Sequence, residues 1–184
     1  FHHHELQAAE LFCWAILVHS GTPEEFRRGL VKLASDEIRH MGMYRRHVER
    51  LGYSIEDFGV RDYFWERVPM SVGPEGFCAV LGLGFEGANL DHSALFAERF
   101  RAVGDEEGAR IQEVVGEEEV EHVRFAAHWF SEFTGEESFD AWRSHLPDPL
   151  SPILMKGPVM DREARQRAGY RDDFLEELAS WQPR

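Results

Sequence analysis

Two short motifs carry the residue types that could do chemistry. Glu37-Ile38-Arg39-His40 and Glu119-Val120-Glu121-His122 both read Glu-x-x-His. In a helix, residues three apart project from one face, so each motif offers a carboxylate and an imidazole in the same direction. A glutamate stands upstream of each at nearly equal distance: Glu5 precedes Glu37 by 32 positions and Glu86 precedes Glu119 by 33. The two arms of a helical hairpin plus its turn use about that many residues to return to the same height. In a chain with 34 acidic residues and 10 histidines a single Glu-x-x-His arises readily by chance. Two copies, each with a matched upstream glutamate, are a far more specific signal.

Four carboxylates and two neutral imidazoles form a mixed oxygen and nitrogen donor set. The expected metal ligands are Glu5, Glu37, His40, Glu86, Glu119 and His122, holding two ions. Such a set suits iron, with manganese or a mixed iron/manganese pair as alternatives, whereas structural zinc more often takes thiolates. The four negative charges balance two divalent cations. Without metal, that many buried carboxylates would be strongly unfavourable and some would take up protons.

Other residues near these motifs invite roles. Metal-bound imidazoles usually donate their second N–H to a carboxylate or carbonyl. Asp36 could serve His122 in this way, and Asp91 or Asn89 could serve His40. Tyr44 shares the face of Glu37 and His40. His2, one turn from Glu5, reads either as a supporting group or extra ligand, or as a surface histidine. Glu10 rivals Glu5 as ligand, but its 27-residue spacing to Glu37 breaks the repeat. Gly116 and Gly82 lie about a turn before Glu119 and Glu86. They either leave a gap for O2 or substrate or let helices pack closely.

Positioning these side chains takes long helices. Apolar residues at helical spacing (Leu6, Ala9, Cys13, Ile16, Leu17) predict a helix over residues 2–19. His2, His3 and His4 run straight into that pattern and read as native rather than as a tag. Thr22 and Pro23 predict an N-cap and first helical position for a helix over 23–51, stopped by Gly52. Residues 53–73 mix aromatics with Gly59 and Pro69 and read as a crossover packed over the helices. Helices over 74–103 and 105–133 follow, the last capped by Asp105 and stopped at Gly135. Short helices are expected in a C-terminal extension, 136–184. The whole predicts one all-α domain: a four-helix bundle with a long crossover between helices two and three, a topology that places metal sites in its core.

Composition narrows the function. The 184 residues carry a net charge of −14, which argues against nucleic acid or an anionic membrane as partner. The local run Arg39, Arg45, Arg46 and Arg50 reads as a solvated helix face. No apolar run approaches the ~20 residues of a membrane span. Cys13 and Cys78 make no disulfide framework or Cys-x-x-C site. Both are expected to be buried thiols in a reducing, cytoplasmic setting. A chain that opens on Phe1 is expected to have been trimmed.

These residues resemble the ferritin-like di-iron carboxylate superfamily, and Asp36-Glu37-Ile38-Arg39-His40 is similar to the D-E-x-R-H motif of its oxygenase branch. More narrowly, His3-His4-Glu5-Leu6-Gln7-Ala8-Ala9-Glu10-Leu11, Phe85-Glu86-Gly87-Ala88-Asn89-Leu90-Asp91, His122-Val123 with Trp129-Phe130, and Pro152-Ile153-Leu154-Met155-Lys156-Gly157-Pro158 resemble a bacterial family of uncharacterised ferritin-like proteins. The resemblance extends over nearly the whole chain. It implies a ferritin-like bundle and the six metal ligands, and it leaves the reaction open. The leading expectation is an O2-activating oxidase or hydroxylase. Its expected partners are O2, a small-molecule substrate, a separate reductase, and a second copy of the chain in a homodimer. The alternatives are a ferroxidase or iron-handling protein, and a metal-stabilised bundle without turnover.

Overall fold

The computed structural model describes residues 1–183 and is all-helical, with no strand among the described residues. Arg184, the last residue of the expected extension, lies outside the described residues. The chain divides into two compact units, Phe1–Val68 and the residues from Pro69 onward.

The first unit is a helical hairpin, α1 (His2–Val18) and α2 (Glu24–Arg50), followed by part of the crossover. Thr22 does not cap α2: Pro23 holds the N-cap position and the Thr22 hydroxyl donates instead to the His19 carbonyl (2.7 Å). Gly52, at φ 86°, lets the chain turn away after α2. Leu11, Phe12 and Ala15 of α1 and Phe26, Leu30 and Leu33 of α2 are buried. Of the apolar positions read from the sequence, Ala9 is buried and Leu6 and Ile16 are half-buried. Leu17 is 77% exposed and Cys13 is exposed, whereas Glu5 and Gln7 are buried. Glu5, expected as a ligand, and Gln7 occupy part of the inward stripe, so apolar spacing alone does not outline it.

Gln7 explains part of this. Its Oε1 accepts from the backbone N–H of Phe64 (3.1 Å) and Trp65 (3.3 Å), and its Nε2 donates to the Arg61 carbonyl (3.0 Å). Glu10 accepts from Trp65 Nε1 (2.7 Å), so the rival to Glu5 is engaged with the crossover. Only Ile55–Asp57 and Val68–Met70 form short 3-10 turns there. Tyr53 and Phe58 are more than half exposed, so not every crossover aromatic packs inward.

The second unit contains α3 (Gly73–Phe77), a π-helical segment (Cys78–Glu86), α4 (Gly87–Ala102) and α5 (Glu106–Thr134). The sequence reads residues 74–103 as one uniform helix. In the structure the backbone stays helical, but Cys78–Glu86 takes i→i+5 bonding: Gly87 N–H reaches back to the Gly82 carbonyl. Asp105 caps α5 by accepting from Gly108 N (2.8 Å), and Gly135 ends it in the left-handed region at φ 71°. The tail adds α6 (Phe139–Ser144), α7 (Arg162–Arg167) and α8 (Asp172–Ser180). Its rings, Phe139, Trp142 and Phe174, lie with centroids 5.2 to 5.5 Å apart. Lys156 Nζ donates to the carbonyls of Leu178 and Ala179, closing the end of α8. Among the described residues no helix is long and apolar enough to cross a membrane.

Candidate metal centre

Each hairpin brings together one triad of donor groups. In the first unit, Glu5 lies thirteen residues before the end of α1 and Glu37 thirteen after the start of α2. Equal arms return both to one level, about 20 Å from the turn. His40 follows one turn after Glu37. Its Nδ1 stands 3.5 Å from Glu37 Oε2 and 3.7 Å from Glu5 Oε2. In the second unit Glu86 ends the π segment, and Glu119 and His122 share one face of α5, with His122 Nδ1 3.1 Å from Glu119 Oε2. Within each triad, one ligand atom per residue can be chosen so that all lie within 4.8 Å of one another.

All six side chains are removed from water. Glu37, Glu119 and His40 are fully buried, and Glu5 and Glu86 are only 5% and 6% exposed. Donor atoms sharing one small divalent ion at about 2.0–2.2 Å sit about 3 to 4.4 Å apart. The measured imidazole–carboxylate separations fall in that range. Two carboxylates and a neutral imidazole also give the oxygen and nitrogen donors that such ions prefer. These buried acidic and histidine groups could hold metal ions. Carboxylates buried this deeply without a cation are costly.

The neighbours divide between roles. Tyr44 is buried and stacks on Phe1, with ring centroids 5.4 Å apart. Asp36 pairs with Arg39 at 3.0 Å. Burial, and then the nearby Arg45, hold the half-buried His2 below its usual pKa. Asp91 is corrected: it is no support for His40. Its two oxygens accept from Arg165 Nε (3.0 Å), Arg165 Nη2 (2.8 Å), Gly157 N (2.7 Å) and Asp161 N (2.9 Å), so its lone pairs are committed to the tail. A Cβ on Gly82 would fall 2.1 Å from Ala126 Cβ, and one on Gly116 would fall 2.7 Å from Ser93 Cβ. Both glycines let helices approach closely, and Gly116 also lines a cavity of about 260 Å³ with Ser93, Gln112 and Val120. Arg39, Arg45, Arg46 and Arg50 are all exposed, as a solvated face requires.

Sequence reasoning missed Arg165, Trp142 and Tyr170. All three sit in the tail, where short helices and prolines give no period to read. A cavity of about 320 Å³ beside them is lined by Leu83, Arg124, His128, Trp142, Tyr170 and Phe174, among others, and contains none of the six donor residues.

The fold and these triads define an all-helical protein that buries acidic and histidine groups able to hold a metal ion. Comparison with known proteins places it further. The family described as "Protein of unknown function (DUF455)" matches residues 1–176, and the chain belongs to that family. It is also 23% identical over 154 residues to an "Uncharacterized protein" of Haemophilus influenzae, a match covering 82% of this chain and 53% of that protein. The chain thus spans about half the length of the curated relative it matches. No solved structure matches it.

Proposed function

We propose that this is a dinuclear metal-carboxylate protein of the ferritin-like type, in which the triads Glu5/Glu37/His40 and Glu86/Glu119/His122 each hold one ion of a single centre. The observation that carries this reading is that two hairpins bury the same donor set, two carboxylates and one imidazole, each within 4.8 Å. The inference of one centre rests on the repeated pattern of a glutamate and then Glu-x-x-His at 32 and 33 residues. The fold class, an all-helical chain with its long helices packed in pairs, is compatible with that arrangement.

Two iron ions bound there would supply O2 activation, and manganese fits the same donors. The four carboxylates would neutralise the two cations, His40 and His122 would each complete a donor set, and burial would keep water out. The reading extends to an oxidase or hydroxylase acting on a small organic substrate, fed electrons by a separate reductase. A net charge of −14 disfavours a nucleic-acid substrate.

Anaerobic titration with Fe(II), metal analysis of the washed protein and an O2 electrode test this. The expectation is two ions per chain, O2 uptake by the ferrous protein, and one ion in each of His40→Ala and His122→Ala. Fewer than one ion in the wild type, or two retained in both variants, would sink the metal reading. O2 uptake that scales with many Fe(II) per chain would transfer the protein to iron handling. Two bound ions with no uptake would make the metals structural.

A further inference from the structure

The π segment Cys78–Glu86 delivers Glu86, and two tail side chains grip its backbone. Trp142 Nε1 donates to the Ala79 carbonyl (2.9 Å), and Tyr170 Oη donates to the Leu83 carbonyl (2.5 Å). These acceptors are four residues apart, about one turn, so the donors engage one side of the segment at two levels. The segment is shaped to receive the tail. A Cβ on Gly84 would lie 2.8 Å from Met155 Sδ, and one on Gly87 would lie 2.2 Å from Tyr170 Oη. The glycines flanking Glu86 are therefore seats for tail side chains.

We propose that Tyr170 and Trp142 are positioning residues for Glu86, holding the π turns that aim its carboxylate at Glu119 and His122. The proposal rests on the metal reading above. A π turn accommodates one residue more than an α turn, and its hydrogen bonds are weaker. Losing that extra residue to a regular α register would rotate Glu86 by about 100° about the helix axis relative to α3. An outside donor on a carbonyl of the π turns offsets their poorer bonding and opposes that relaxation. Trp142 is fully buried, so its N–H has no water to fall back on. Burial pushes the Tyr170 phenol up to about 12, so it keeps its proton and remains a donor at any working pH. Arg165, held on Asp91, lies with its guanidinium 5.3 Å from the Tyr170 ring and donates to the Met155 carbonyl (3.0 Å). The tail loop that carries Tyr170 is thereby anchored to α4, one turn beyond Glu86.

The test compares wild type with Tyr170→Phe and Trp142→Phe, each of which removes a donor and keeps an aromatic ring. Hydrogen–deuterium exchange on the metal-free proteins should quicken at least tenfold in peptides covering 83–90 and stay unchanged across 24–50. Co(II) titration followed by visible absorption should show two ions in the wild type. In each variant one site should weaken by tenfold or more, with an altered absorption band. Should Tyr170→Phe fail to fold, Trp142→Phe carries the same readouts. Wild-type exchange and spectra in the variants would overturn the positioning role while the metal reading stands. So would faster exchange spread over the whole second unit with an unchanged cobalt spectrum, the mark of a merely structural role. A wild type that binds no Co(II) overturns both proposals and is recognised before any variant is made.

Discussion

The two hairpins present the same three residue types from different backbones. In the first, α1 and α2 are ordinary α-helices, and Glu5 and Glu37 stand equally far from the turn. In the second, Glu86 stands sixteen residues from the end of α4, Glu119 stands thirteen into α5, and the approach to Glu86 is π-helical. The regular hairpin is tied to the crossover through Gln7 and Glu10 of α1, and its own turns keep ordinary α bonding. The irregular one is braced from outside by Trp142, Tyr170, Met155 and the Asp91–Arg165 pair. Equal donor sets can thus be reached with unequal amounts of support, and the supported side is where substitutions far from the donors should matter.

The largest effect should come from the brace. Arg165→Met leaves Asp91 buried with only its two backbone donors, and the side chains of both partners are fully buried. Breaking one partner of such a pair costs about 3–5 kcal/mol. Urea unfolding should show that loss, and a change below ~1 kcal/mol would mean that the tail does not brace the second unit. Next comes Gly82→Ala, whose Cβ would overlap that of Ala126. Overpacking of this kind costs about 1–3 kcal/mol. Smallest, and of opposite sign, is Gly42→Ala in the middle of α2. There the new Cβ meets only the mobile end of Arg46, at 3.3 Å. The gain in helix propensity should stabilise by up to about 1 kcal/mol in thermal melts. If both glycine variants moved stability the same way, the contrast between a regular and a braced hairpin would be lost.

Much of this was legible in the sequence where one local rule decides the outcome. Asp105 and Gly135 bound α5 because capping oxygens and left-handed glycines act within a turn of the helix end. The repeat of a glutamate and then Glu-x-x-His was legible, and the structure brings Glu5, Glu37 and His40 together, as it does Glu86, Glu119 and His122. The π segment was not legible: Cys-Ala-Val-Leu-Gly-Leu-Gly-Phe is apolar throughout, so no period separates i→i+4 from i→i+5 bonding. Asp91 was misread because its partner, Arg165, lies 74 residues away and only tertiary folding joins them. The role of Gln7 was not legible, because its partners Arg61, Phe64 and Trp65 lie 54 to 58 residues along the chain.

The contrast between the two cysteines has a practical consequence. Cys78 is fully buried, and burial, with a smaller push from Glu75, drives its thiol far above the usual range of ionisation. Cys13 sits exposed on the outer side of α1. Within residues 1–184 a maleimide dye should therefore attach at one place, Cys13, two turns along the helix from Glu5. That gives a fluorescent reporter for ion uptake without engineering a single codon.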